Sequence, residues 1–165
     1  MSGAPQLAAL LLDAAARGQN LQPAFEECAD EFSRHVSDVW ASDGGAAGGW
    51  APLKITTIRR RQRTGRGTAP LHYATGDGGR ILASLTDPGS PWHKRRILPD
   101  ELELRSTLGI GGVHHTGRTG TVYDNSGRIR KFQVPERRAF DVQHLDRTWK
   151  RILTDHVRTG GQGWL

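Results

Sequence analysis

Two histidines, His114 and His115, stand side by side in Val113-His114-His115-Thr116-Gly117-Arg118, and with seven histidines in the chain a metal centre is the first chemistry to weigh. A zinc site needs several N, S or O donors converging on one point. Adjacent side chains on a strand point to opposite faces, and no nearby acid completes a ligand set. The expected arrangement is one histidine packed and hydrogen-bonded and the other exposed, with neither metal nor cofactor. Nucleophilic catalysis fares no better. Ser84, Ser106 and Ser126 lack the strained turn and adjacent base that activate a hydroxyl, and Cys28 falls among apolar neighbours of a helix. Gly76, Gly78 and Gly79 cluster like a phosphate loop, but no apolar strand precedes them and no lysine and hydroxyl pair follows. The chain is expected not to be an enzyme.

Charge is the stronger signal. Lys54, Arg59, Arg60, Arg61, Arg63 and Arg66 fall in one stretch without an acid, whereas Glu26, Glu27, Asp30, Glu31 and Asp38 make the preceding segment acidic. The basic run can contact backbone phosphates, without reading sequence because no stacking aromatics or recognition-helix context accompany it. It can equally be a solvated face, or one that meets the acidic segment of an identical neighbour in a head-to-tail contact.

These residues need elements to position them. Residues 5–17 read as a short helix, with Leu7, Leu10, Leu11 and Ala14 at helical spacing and Gly18 as its stop. From Pro23 to Trp40 the residues Phe25, Cys28, Phe32, Val36, Val39 and Trp40 form an apolar stripe opposite the acids, the clearest helix in the sequence. Gly44-Gly45-Ala46-Ala47-Gly48-Gly49 is read as a flexible loop, because glycine loses the most entropy on ordering. A short basic helix is expected over residues 54–63 and another over 79–86, then a proline and glycine turn at residues 87–91. Residues 101–107 alternate as a strand, and residues 119–123 and 128–134 should pair as a β-hairpin around Asp124-Asn125-Ser126-Gly127. The last helix carries Val142, Leu145, Trp149, Ile152 and Leu153, with Asp141 at its N-terminal end. The fold class is therefore α+β: a small antiparallel sheet including a β-hairpin, packed against N-terminal and C-terminal amphipathic helices.

Length and composition bound the rest. The 165 residues fit one domain, divided into N-terminal helices (1–42), the glycine-rich loop (43–49), an α+β core (50–158) and a mobile C-terminal arm (159–165). An apolar content of 36% is lean for a self-sufficient monomer, so neighbours are expected to supply some burial. A net charge of +6 permits nucleic acid or an acidic protein as partner. The single cysteine excludes a disulfide framework within the chain, and Cys28 is expected to be core filler. No basic, then apolar, leader is visible and Leu7 to Leu12 is too short to span a bilayer, so a soluble, cytoplasmically made protein without membrane contact is expected.

One resemblance adds to this. Trp50-Ala51-Pro52-Leu53 is followed by Thr56-Thr57-Ile58-Arg59-Arg60-Arg61, by Pro70-Leu71 and Thr75-Gly76, and by Ile81-Leu82-Ala83-Ser84-Leu85. His114-His115-Thr116-Gly117 comes next, and Val134-Pro135-Glu136-Arg137-Arg138-Ala139-Phe140 precedes the final helix. In that order the pieces resemble the tail-completion or virion-morphogenesis proteins of tailed bacteriophages over roughly residues 50 to 155. The chain departs from the pattern where Ala139 replaces a usual proline and where Asp77-Gly78-Gly79-Arg80 lengthens the segment before Ile81.

The resemblance implies a ring-forming homo-oligomer, a hexamer, at the head–tail junction of a virion. It would cap the tail or join it to the head, touching the tail tube protein and the connector or adaptor proteins, with DNA passing nearby. The candidate docking residues are Trp50, Leu53, His115, Tyr123, Phe132, Arg137, Arg138, Trp164 and Leu165; the candidate phosphate contacts are the six basic residues from Lys54 to Arg66. Trp50 is either an interface anchor or a closure of the domain's own core. Trp164 and Leu165, at the tip of a glycine-rich arm, are expected to pack on a neighbour.

Overall fold

The acidic helix is built as its stripe dictates. In the computed structural model, which describes residues 3–65, 68, 77–108, 117–123 and 128–160, α2 runs Gln22–Ala41. Cys28, Ala29, Phe32, Val36, Val39 and Trp40 are buried along it while Glu26, Glu27, Asp30 and Asp38 face solvent. It follows α1 (Gly3–Gln19) and is succeeded by α3 (Ile55–Arg63), α4 (Asp77–Thr86), β1 (His93–Ile97), β2 (Leu102–Ser106), β3 (Arg118–Tyr123), β4 (Ile129–Val134) and α5 (Val142–Thr159). β1 pairs with β2, and β3 pairs antiparallel with β4, so the fold is α+β with hairpins as its sheets. The expected final helix, the strand at residues 101–107 and the later hairpin are all present. The turn expected at residues 124–127 lies outside the described residues.

The chain gathers into two units, neither of them one continuous stretch: residues 1–33, 95–104 and 142–165 form one, and residues 34–94 and 105–141 the other. In the first unit Ala24, Cys28 and Ile152 are buried together, with Leu102, Trp149 and Leu153 packed against them, so the hairpin tip meets the N-terminal and C-terminal helices. Cys28 is core filler as expected, and burial, with the Glu27 charge added, pushes its thiol up to about 11.

Two further ties close this unit. Arg17 Nε and Nη2 donate to the carbonyls of Val157 (3.0 Å) and Arg158 (3.2 Å), which the end of α5 leaves without intrahelical partners, and Arg17 is held by an ion pair to Asp13. His156, itself buried, meets the Asn20 carbonyl through Nε2 at 3.0 Å. Arg17 thus ties helix α1 to α5, while Leu10, Leu11 and Leu12 are 64%, 63% and 73% exposed.

In the second unit the glycine-rich segment, expected as a flexible loop, is laid out as a hydrogen-bonded turn. The backbone N–H of Gly44 donates to the Val39 carbonyl (2.7 Å) and closes α2, a single 3₁₀ turn occupies Gly45–Ala47, and Gly49 N–H returns to the Gly44 carbonyl (2.7 Å). Gly44, Gly48 and Gly49 have φ of 88°, 87° and 85°, so the glycines serve left-handed positions in a hydrogen-bonded turn. Strand β1 is a second difference. The segment His93-Lys94-Arg95-Arg96-Ile97, which shows no alternation, is a strand because β2 and its turn present partners, with Leu98 N–H donating to the Glu101 carbonyl (2.8 Å) and Thr107 N–H to that of Trp92 (2.9 Å).

Candidate functional site

Two segments that the sequence keeps 88 residues apart are joined by hydrogen bonds in the second unit. Trp50 leaves the glycine turn and lies edge-on to Trp40, ring centroids 5.1 Å apart at 88°, the T-shaped geometry that aromatic quadrupoles favour. Its indole Nε1 donates to the Arg138 carbonyl at 2.9 Å. In return Arg137 Nη2 donates to the Ala51 carbonyl at 3.1 Å. The Trp50-Ala51 and Arg137-Arg138 blocks thereby form a reciprocal clasp, with Ala139 buried beside it in sequence.

Next to the clasp, the backbone N–H of Asp141 donates to His35 Nε2 at 3.0 Å. His35 is buried on the α2 stripe, and accepting at Nε2 fixes its neutral form as the Nδ1-protonated tautomer. Sequence reading missed this residue; its signal was a polar side chain at a stripe position between Phe32 and Val39.

The clasp involves three docking candidates and alters the reading of two. Trp50 is 8% exposed, so it closes its own core and has little surface to give a partner. Arg137, expected to reach outward, is 5% exposed. Its guanidinium Nε is buried with no hydrogen-bond partner, and no carboxylate among the described residues pairs with it. Burial, and then the like charge of Arg61, draw its pKa below the ordinary arginine value. Arg138 is exposed, bonded and ion-paired through Nε to Glu136 Oε1 at 2.6 Å, and this bond followed by the Glu136 charge holds its pKa above the usual value.

No known family, curated protein or solved structure matches the chain.

The basic run is a helix, as expected. Lys54, exposed and extended, precedes α3 and its carbonyl accepts from Thr57 (2.8 Å) and Ile58 (3.1 Å). Arg59, Arg60 and Arg63 are exposed and Arg61 is half-buried. Arg60, Arg61 and Arg63 occupy the last turn, where cations suit the negative end of the helix dipole, a structural role sufficient to explain three of the six charges. Leu53 is half-buried. Arg66, His114, His115, Trp164 and Leu165 lie outside the described residues, as do the side chains of Tyr123 and Phe132, whose backbones pair with Ile129 and Gly120.

The β3–β4 register puts Thr119, Thr121, Ile129 and Lys131 on one face, and all four are exposed, Ile129 by 63%. Among the described residues the two strands pair only with each other.

Ser84, Ser106 and His93 also converge. Ser84 Oγ donates to the Ile81 carbonyl (2.8 Å) and accepts from Ser106 Oγ (2.7 Å), while His93 Nδ1 donates to the Ser84 carbonyl (3.2 Å). The imidazole therefore addresses a backbone oxygen instead of the hydroxyl, and the Ser84 proton already has an acceptor. This is a fastening of α4 to the base of the first hairpin, without the geometry of a nucleophile and base. Among the described residues no three His, Cys, Asp or Glu side chains gather as metal ligands.

Proposed function

We propose that this chain is a structural subunit of the head–tail neck of a tailed bacteriophage, a ring-forming tail-completion or tail-terminator part that joins the tail to the head connector. The observation that carries the reading is the clasp: two separated blocks of the phage-like motif series are bonded to each other through Trp50, Ala51, Arg137 and Arg138. A motif series whose pieces brace one another is what a fold-defining pattern requires. The action of such a subunit is to present surfaces, and the β3–β4 hairpin, whose Thr119, Thr121, Ile129 and Lys131 are exposed on one face, is suited to docking on a neighbour. Leu53, Arg138, Trp164 and Leu165 remain candidates for the same work.

Purified protein incubated with tail tubes and connectors is expected to assemble into rings with a mass near six times 18.1 kDa, visible by particle imaging and light scattering. A chain that stays monomeric beside both partners ends this reading.

One observation favours a second reading, a basic accessory protein that contacts DNA phosphates. Arg59, Arg60 and Arg63 are all exposed on α3 with no acid on that helix. Duplex DNA should then bind with an affinity that falls steeply with salt. Changing these three arginines to Ala should lower the log–log salt slope by about 3. Binding that ignores salt, or no binding, removes the second reading and leaves the first intact.

A further inference from the structure

Helix α1 carries an apolar stripe that the described residues leave uncovered. Leu10 and Leu11 are 64% and 63% exposed. Single exposed leucines are ordinary, but here Ala8, Ala9, Ala15 and Ala16 are exposed as well, and the charged residues of the helix, Asp13 and Arg17, are paired with each other. A helix face turned to water ordinarily presents polar side chains, so this one is composed to be covered. The spacing shows which side that is. Leu10, Ala14 and Arg17 follow one another at helical intervals with Leu11 alongside, so they share a face, whereas Leu12 falls on the far side.

The end of α5 lies at the foot of the same face. Arg17 donates to the Val157 and Arg158 carbonyls, and Gly160 closes α5 with φ of 71° and its N–H on the His156 carbonyl at 2.9 Å. A Cβ built at Gly160 would stand 3.4 Å from Arg17 Cδ, so the chain leaves α5 in contact with Arg17. Leu11 and Leu10 precede Arg17 by six and seven residues, about 9–11 Å along the helix axis. The residues that follow Gly160 are Gly161-Gln162-Gly163-Trp164-Leu165, which can span about 17 Å. Their side chains carry no charge and the last two are large and apolar.

We propose that residues 161–165 fold back along α1 of their own chain and seat Trp164 and Leu165 on Leu10 and Leu11. The apolar stripe has no charge with which to select an acidic or basic partner, and the five residues start where the stripe's own arginine ends α5. Their tether sets an effective concentration in the millimolar range, which a free partner or a second copy would have to exceed. Trp164 and Leu165 then serve their own chain in place of a neighbour, which narrows the docking candidates and leaves the ring reading to be judged separately.

Thermal unfolding of full-length variants tests the contact. Trp164→Ser combined with Leu165→Ser is expected to lower the melting temperature by about 5 °C, equally at low and at hundredfold higher protein concentration. Leu10→Gln with Leu11→Gln, which keeps helix propensity, should cost a similar amount in the wild-type chain and less than about 1 °C once the tail residues are serines. Leu12→Gln, just as exposed but on the far side, should cost less than about 1 °C in both backgrounds. An unchanged melting temperature in the tail variant overturns the proposal, as does a leucine cost that is the same with and without Trp164 and Leu165. If the cost of the tail variant appears only at high protein concentration, the segment seats on a second copy and the assignment to its own chain fails.

Discussion

Trp50→Ala is expected to lower the stability of the unit that contains it by about 3–5 kcal/mol, the usual loss when a large buried aromatic is truncated. Three contributions sum toward that figure. The ring is 8% exposed, so nearly all of its apolar surface is lost from the interior. The T-shaped contact with Trp40 is worth about 0.5–1.5 kcal/mol beyond its area. The indole bond to Arg138 adds about 1 kcal/mol, and losing it also frees the block that carries Arg137. Trp50→Phe isolates this last part, since it keeps an aromatic ring and removes only the donor and some volume; its expected cost is about 1–2 kcal/mol. Urea unfolding followed by tryptophan fluorescence reads both. The outcome also decides between the two roles that the sequence left open for Trp50. An interface anchor would leave the isolated chain's melting unchanged while abolishing association; a core closure predicts the reverse order of effects, with unfolding first. Unchanged unfolding in Trp50→Ala would refute the core role.

Where an element's own residues carry its reason for forming, the sequence was readable. Helix α2 was legible because the stripe from Phe25 to Trp40 satisfies helical spacing by itself, and Cys28 followed from its place on that stripe. The later hairpin was legible because two β-rich runs flank a turn sequence. Strand β1 was not, because His93-Lys94-Arg95-Arg96-Ile97 has no pattern of its own: its extended form is imposed by β2, a property of the partner. Helix α1 was legible as an element, though its packing was not. Its leucines are correctly spaced for an apolar face, yet Leu10, Leu11 and Leu12 are exposed while Arg17 bonds to carbonyls of α5, and periodicity cannot tell which side of a helix will find a partner. The division into two units was equally invisible, since each is assembled from separated stretches, with the boundary falling inside α2 between Ser33 and Arg34.

At the candidate site, residue types were legible and their partners were not. Trp50 and the Arg137-Arg138 block were both singled out, but nothing in either segment announces a bond across 88 positions. For Arg137 the sequence pointed outward, because an arginine beside another arginine ordinarily lies in solvent; burial reversed that and turned a docking candidate into an unpaired interior charge. His35 was overlooked for the complementary reason: a histidine on an apolar stripe looks like an imperfection until the Asp141 N–H that needs it is placed.

The glycine-rich turn yields the second large effect. Gly44 uses its freedom to adopt positive φ to end α2 with Trp50 laid against its α-carbon. A Cβ at Gly44 would stand 2.3 Å from Trp50 Cδ1 and 2.4 Å from Cγ, closer than real atoms approach, and φ is +88°. Gly44→Ala is therefore expected to cost about 1–2 kcal/mol for the left-handed backbone and a further 1–3 kcal/mol, roughly, for displacing the indole from Trp40 and from the Arg138 carbonyl. Gly48 supplies the control within the same turn: its φ is +87°, yet nothing lies within 4 Å of the added atom, so Gly48→Ala should lose only the backbone part. The difference between the two variants, read as shifts in urea midpoint, measures the steric part alone. That part belongs to Trp50, so in a Trp50→Ala background Gly44→Ala should fall to about the cost of Gly48→Ala, a coupling that independent sites would not show. Equal losses at Gly44 and Gly48 in the wild-type chain would mean the indole does not rest on Gly44, and the clasp that joins the two motif blocks would lose its floor.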